Sequence, residues 1–318
     1  MISPEPTGGD RPVQAYDLMI LGGGPAGLAA AIYAGRARVQ TRVLGGTLPG
    51  GQPSRTAEVD NYPGFPDGVG GGELAQRFTA QAERFGAEIV AEMATEVDFS
   101  ERPFRIRSAR SQYRAGAVIV ATGAVPRPLG IPGEEEFYGR GVSSCATCDG
   151  FFYQDREVVV VGGGDAAIDE ALFLTKFART VTVIHRRDTL RATEIYREQA
   201  FANPKIGFIW DSVVEEVLGD KTVTGVRVHN LKNGDTSMIR TDGVFVYIGM
   251  EPQSDLFVGQ LELDPSGYVL SNARQHTNVP GVFVAGDVQD PNYRQVVIAA
   301  GTGAIAAMEA ERYLGKYP

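Results

Sequence analysis

The sequence predicts an α/β protein made of two parallel-sheet units, and two observations predict it. A short apolar strand runs into a glycine-rich turn and then into a small-residue helix, and the same passage returns in the second half of the chain. In the first passage, Ala15–Leu21 leads to Gly22-Gly23-Gly24-Pro25-Ala26-Gly27, a helical pattern, and a strand at Val39–Leu44. In the second, Glu157–Val161 leads to Gly162-Gly163-Gly164-Asp165-Ala166-Ala167, a helical pattern, and a strand at Thr180–Ile184. This order is the grammar of a βαβ unit. Further apolar strands are expected at Gly116–Gly123, Gly243–Gly249 and Gly281–Asp287, and a long Ala-rich helix over Val296–Tyr313. Two such units, with a tail that belongs to neither, fit a first domain interrupted by a second.

Composition sets the bounds. The 318 residues suit about two domains. A net charge of -9 sets the whole chain against nucleic acid and anionic membranes, which carry like charge. The 40 glycines exceed the usual share of about 7% and call for tight turns and close backbone approaches. Residues 1–14 lack an apolar signal-peptide core and are expected to form a disordered lead-in. No apolar run approaches the length of a membrane helix. Only Cys145 and Cys148 are cysteines, so no disulfide framework staples the fold. The expectation is a soluble, cytoplasmic protein of a reducing compartment.

Each glycine loop follows a strand and opens a helix, which is the context a dinucleotide fingerprint needs. The first glycine makes the turn, the second admits a pyrophosphate to the backbone, and the third packs helix on strand. Gly22, Gly24, Pro25, Ala26 and Gly27 are the candidates in the first loop; Gly163, Gly164 and Asp165 are those in the second. The strands that follow distinguish the two ligands. After the second unit's strand comes His185-Arg186-Arg187-Asp188, with Arg191 a turn further on. Guanidinium groups at that position suit a ribose 2′-phosphate, hence NADPH. The first unit has Gly45-Gly46 there, with neither acid nor arginine. Asp287, at the end of GVFVAGD, suits a different part of a larger dinucleotide, and FAD with its ribitol is the natural candidate.

The two cysteines sit in Ser144-Cys145-Ala146-Thr147-Cys148-Asp149. Zinc needs four ligands, and His185, His229 and His276 are remote and single, so no metal is expected. C-x-x-C spacing closes a small disulfide ring and points to a redox dithiol. Asp149 is placed to shuttle a proton to a departing thiolate, or else to cap a helix.

These residues resemble the bacterial low-molecular-weight thioredoxin reductases, from Tyr16 to about Leu314. The motifs fall in order: GGGPAGLAAAIYAGRA, GGQ at Gly50–Gln52, EVDNYPGFP at Glu58–Pro66, ATGAVPRPLGIPGE at Ala121–Glu134, CATCDGFFY at Cys145–Tyr153, GGGDAAIDEA, HRRDTLRA, and VFVAGDVQDPNYRQVVIAAGTGAIAAMEAERYL. The resemblance implies an FAD domain over 15–124 and 252–318, with an NADPH domain carrying the C-x-x-C inserted at 125–251. It implies FAD contacts at Gly22–Gly27, Gly51, Gln52, Asn61, Asp287, Arg294, Gln295 and Val296. NADPH contacts would be Gly163, Gly164, His185, Arg186, Arg187 and Arg191.

The resemblance further implies a homodimer that passes electrons from NADPH through FAD and the Cys145–Cys148 pair to a thioredoxin in trans. Cys145 would attack thioredoxin and Cys148 face the flavin, with one domain rotating on the other about 122–124 and 249–251. Departures from the family are Ala166 for Ser, Asp169 for Glu, and Arg55 in the usually Thr-rich stretch after GGQ. Competing readings are a flavin reductase serving a glutaredoxin- or peroxiredoxin-like partner, a ferredoxin-fed reductase, and a flavin redox sensor. The intact NADP loop and HRR count against ferredoxin as donor.

Overall fold

The computed structural model describes residues 13–56 and 58–317. Residues 1–12 of the expected lead-in lie outside them. The chain runs β1 (Val13–Leu21), α1 (Pro25–Arg36), β2 (Thr41–Leu44), α2 (Gly71–Arg84), β3 (Glu88–Val90), β4 (Ala94–Asp98), β5 (Phe104–Ser108) and β6 (Gln112–Val120). It continues with β7 (Ala124–Pro126), β8 (Val142–Ser143), α3 (Ala146–Asp149), β9 (Glu157–Gly162), α4 (Asp165–Leu174), β10 (Thr180–Ile184), α5 (Glu194–Ala202) and β11 (Ile206–Ile209). Then come β12 (Ser212–Gly219), β13 (Val223–Asn230), β14 (Thr236–Arg240), β15 (Gly243–Tyr247), β16 (Met250–Pro252), β17 (Val282–Val284) and α6 (Val296–Lys316).

Two compact units result. One holds the described residues up to Ser54, Tyr62–Ala124, and those from Pro252 onward; the other holds Arg55–Asn61 and Val125–Glu251. In the first, the sheet order is β3-β2-β1-β6-β5-β4, with β17 also on β6. Strands β1, β2, β3, β6 and β17 are parallel, whereas β5 and β4 meander back antiparallel. Helices α1 and α6 cover one face, so the last four residues of β1 are buried on both sides and read as an unbroken apolar run. The other face is filled by Phe99, Phe104, Tyr113, Phe257 and Val288. In the second unit the parallel order is β11-β10-β9-β15-β8. Helices cover one face and the antiparallel β12–β13–β14 sheet supplies Val214, Val217, Val226 and Val228 to the other.

Several boundaries differ from expectation, each for a local reason. β1 starts at Val13 instead of Ala15, because Val13 and Gln14 pair with Gln112 and Tyr113, which also extends β6 upstream of Gly116. β2 starts at Thr41 because Arg38, with φ +61°, turns the chain out of α1. β17 ends at Val284, so Asp287 lies in the following short turn, Gly286–Val288, not on a strand. Residues 55–61 group with the second unit, where Arg55 bonds Glu135 at 2.6 Å and lies over the Tyr138 ring at 4.4 Å.

The tail helix belongs to the first unit through a close crossing. A Cβ on Gly303 of α6 would fall 2.1 Å from the Ala26 carbonyl oxygen of α1. Small residues on both helices permit this approach, which explains their alanine content. Gly303→Ala is expected to cost about 1–3 kcal/mol by forcing the helices apart. Gly315→Ala, with nothing within 4 Å, should cost nothing. Thermal unfolding of the two variants checks this; equal midpoints would remove the crossing as a constraint.

Candidate active site

In each unit the glycine loop leaves the central strand where its neighbours diverge: β1 between β2 and β6, β9 between β10 and β15. That is the switch point at which an open parallel sheet binds its ligand. Gly22 has φ +123°, and a Cβ there would lie 2.1 Å from the Ala121 carbonyl oxygen. On Gly27 it would lie 1.9 Å from the Gly22 carbonyl oxygen. Both positions therefore admit only glycine. Gly24 caps α1 with extended backbone, no side-chain bond to the first turn, and Pro25 at the helix start. The first N–H groups of α1 are thus left for an anion.

Other parts of the first unit converge on this helix start. A Cβ on Gly51 would come within 2.9 Å of the Gly24 Cα. Gln52 follows, and its Oε1 is buried with no hydrogen-bond partner. Pro25, Gly50 and Val296 line one small cavity. Gly286 packs on Ala26, and its N–H donates to Thr302 Oγ1 at 3.0 Å, which fixes the turn carrying Asp287. Burial first, then the Asp290 carboxylate, pushes the Asp287 pKa up to about 6, with Arg294 pulling the other way. Arg294 has φ +50°, and Gln295 caps α6 without a side-chain bond to the helix. A bare helix start, an orphaned amide oxygen and a half-buried carboxyl fit a dinucleotide with hydroxyl donors. Asn61 lies in the segment that groups with the second unit.

In the second unit, Cys145 caps the single-turn α3, and its Sγ accepts the Cys148 N–H at 3.2 Å. Three residues of helical turn put both sulfurs on one side, and they are joined as a disulfide with Cα atoms 5.3 Å apart. Ser143 Oγ accepts the Cys145 N–H at 3.0 Å, and the Tyr247 hydroxyl accepts the Ala146 N–H at 2.5 Å. Nothing in the sequence marks Ser143 or Tyr247, which is placed by the pairing of β15 with β8 and β9. Asp149 ends α3 and its side chain makes no cap bond to the turn that follows. Burial pushes its carboxyl pKa upward, against a hydrogen bond from Ser143. Phe151 and Phe152, immediately after, are exposed.

Gly164 caps α4 in extended backbone with no side-chain bond to the helix. The Asp165 carboxylate accepts the Thr193 N–H at 2.6 Å and so holds the start of α5. Arg191 approaches the loop instead, its guanidinium 3.8 Å from where a Gly164 Cβ would stand. Arg186, Arg187 and Arg191 are exposed, and among the described residues none of them is in an ion pair. The acid in the run, Asp188, is tied off by Lys232 at 3.1 Å, which also holds Asp211 at 3.0 Å. Sequence spacing did not point to Lys232, which arrives on the β13–β14 turn. His185 is buried, and that burial, reinforced by the arginines, lowers its pKa. The arrangement offers a helix start for a pyrophosphate beside free guanidinium groups for a further phosphate.

Among the described residues no helix is long and apolar enough to cross a membrane. Residues 16–303 match the pyridine nucleotide-disulphide oxidoreductase family. A protein named thioredoxin reductase from Streptomyces coelicolor is 50% identical over 301 residues, covering 94% of both chains. One of the same name from Rickettsia bellii is 50% identical over 304 residues, covering 94% of this chain and 98% of its own. The crystal structure of thioredoxin reductase from Streptococcus pyogenes superposes with a TM-score of 0.91 at 41% identity, covering 95% of this chain and 99% of that one. Membership of this family implies a flavin and a pyridine nucleotide as cofactors. With its disulfide and two dinucleotide loops in place, the chain belongs to the pyridine nucleotide-disulphide oxidoreductases, and within them to the thioredoxin reductases.

Proposed function

We propose that the chain is an NADPH-dependent thioredoxin-disulfide reductase, with FAD held by the first unit and NADPH by the second. The observation that carries the reading is the closed Cys145–Cys148 disulfide in the unit that also presents three unpaired arginines at the end of β10. Gly22–Gly27, Gly51, Gln52, Asn61, Asp287, Arg294, Gln295 and Val296 hold the flavin dinucleotide. Gly163, Gly164, His185, Arg186, Arg187 and Arg191 hold NADPH, and Asp165 supports that site from behind. When bound, FAD supplies two-electron chemistry between a nicotinamide and a disulfide.

The chain's own residues do the rest. Two electrons and two protons open the disulfide to the thiols of Cys145 and Cys148. Asp149, whose burial favours its protonated form, holds a proton beside the pair and returns it to a departing thiolate. The Cys145 thiolate attacks one sulfur of the thioredoxin disulfide, forming a mixed disulfide and releasing the other sulfur as a thiol. The Cys148 thiolate then attacks Cys145, re-forming the internal disulfide and freeing dithiol thioredoxin. Exposed Phe151 and Phe152 give the partner an apolar footing beside the pair. We further infer a homodimer acting in the cytoplasm.

The decisive assay is NADPH oxidation by the FAD-loaded protein with thioredoxin disulfide, run beside NADH and Cys148→Ser. Sustained oxidation is expected only with NADPH, thioredoxin and both thiols; flavin reduction without thioredoxin reduction would move the search to another disulfide partner. Removing Arg186 or Arg187 takes away a charge-assisted hydrogen bond. It should weaken NADPH by roughly 10- to 150-fold and leave NADH unchanged. Equal losses for both nucleotides would make these arginines structural.

Asp287 gives a test with opposite signs. Its carboxyl pKa lies above the ordinary 3.8, so the folded chain binds the proton more tightly than the unfolded one. Its contribution to stability therefore falls as pH rises from 3.8 to about 6. Asp287→Asn should raise the melting temperature of the FAD-free chain at pH 7.5 more than at pH 4, while weakening FAD binding. An unchanged FAD affinity would remove Asp287 from the flavin site.

A further inference from the structure

Trp210 is the single tryptophan of the chain and directly follows the edge strand β11. Strands β10 and β11 pair in parallel with Ile184 opposite Ile209. The next pair, His185 and Trp210, therefore shares one face of the sheet. Backbone bonds continue past the strand ends: His185 N–H donates to the Ile209 carbonyl at 2.9 Å, and Ser212 N–H to the His185 carbonyl at 3.0 Å. The Trp210 carbonyl is itself held by the Ser212 hydroxyl at 2.7 Å and the Asn230 amide at 3.4 Å. On one side the indole lies flat on Phe208, with centroids 4.9 Å apart and planes at 4°. Phe201 of α5 closes in at 6.3 Å. On the other side the indole meets the His185 ring edge-on, at 6.5 Å and 80°.

That imidazole is 5% exposed, and its Nε2 is buried without a hydrogen-bond partner. It fills the space beneath the glycine loop, since a Cβ on Gly163 would lie 2.3 Å from its Nδ1. The Gly163 carbonyl in turn accepts the N–H groups of Arg191 at 2.7 Å and Ala192 at 3.1 Å. Indole, imidazole, glycine loop and the backbone bearing Arg191 thus form one packed column.

We propose that Trp210 is a positioning residue for the pyridine nucleotide: its ring holds His185 against Gly163 and so sets both the glycine loop and Arg191. This rests on the second unit being the NADPH site. The loop serves NADPH and NADH alike, so loss of the indole affects both, unlike loss of Arg186 or Arg187. An aromatic contact of this kind corresponds to about a 2- to 12-fold change in affinity.

The test is calorimetric titration of the FAD-loaded protein with NADP⁺, together with steady-state kinetics. In Trp210→Ala, NADP⁺ binding should weaken by about 2- to 12-fold. KM should rise for NADPH and NADH together, with kcat at saturating NADPH and FAD content unchanged. Trp210→Phe should restore most of the affinity. The His185 ring, opened to water, should titrate at higher pH by NMR. Trp210→Leu keeps apolar volume and reads the same affinity if the alanine variant is insoluble. Wild-type NADP⁺ affinity in a folded Ala or Leu variant, or an unmoved His185 titration, would overturn the proposal. A wild-type chain that binds no NADP⁺ would overturn it together with the assignment of the second unit.

Discussion

The fold turns on a backbone approach that only glycine permits. At Gly22 and Gly27, and again at Gly162, a β-carbon would fall within 2.5 Å of a carbonyl oxygen. These contacts pull a helix start down onto the end of a central strand and leave its first N–H groups without a side-chain cap. Everything around each loop then has to tolerate or exploit that tightness. α6 needs Gly303 to lie on α1, and Gly286 must lie against Ala26 to bring Asp287 to the same place. In the second unit the imidazole of His185 occupies the room that Gly163 vacates. A positive helix end exposed in this way attracts anionic ligands without any charged side chain.

Charge then separates the two loops. The chain as a whole is acidic, at -9, so its affinity for a phosphorylated ligand has to be local. Around the first loop no basic cluster stands among the described residues, and the half-buried Asp287 instead suits hydroxyl donors. Around the second, none of the three guanidinium groups is in an ion pair among the described residues, and Lys232 on a distant hairpin holds Asp188. Without that lysine, the acid in His185-Arg186-Arg187-Asp188 would offset part of the field its neighbours create. The partner of this acid is thus a residue 44 positions away in the chain.

Much of this was legible in the sequence because the chemistry is local there. A strand, a glycine turn and a helix are consecutive, so both βαβ units and the parallel sheets could be read directly. The C-x-x-C pair is one helical turn, so its closure followed from spacing. The parts that escaped are those set by strand pairing. Val13 and Gln14 joined β1 because β6 offered them partners. Tyr247 reaches the Ala146 N–H only because β15 lies between β8 and β9. Arg55, a departure from the family in the stretch after GGQ, pairs with Glu135, 80 positions on. The bond between the Asp165 carboxylate and the Thr193 N–H likewise joins residues that the sequence keeps apart.

Two carboxyls, Asp149 and Asp287, are shifted upward by the same cause, burial, but their surroundings prepare them for different work. Beside Asp149 the opposing influence is a single hydroxyl, that of Ser143, while the phenol of Tyr153 is also held protonated by burial, its pKa at about 12. No cation is among the causes of the Asp149 shift, so nothing beside the hydroxyl opposes the effect of burial there. Beside Asp287 stand a second acid, Asp290, and a cation, Arg294. That mixture, with burial, puts the carboxyl pKa at about 6. The two carboxyls thus share a cause but not a setting: only Asp287 has charged neighbours, one of each sign, among the influences on its pKa.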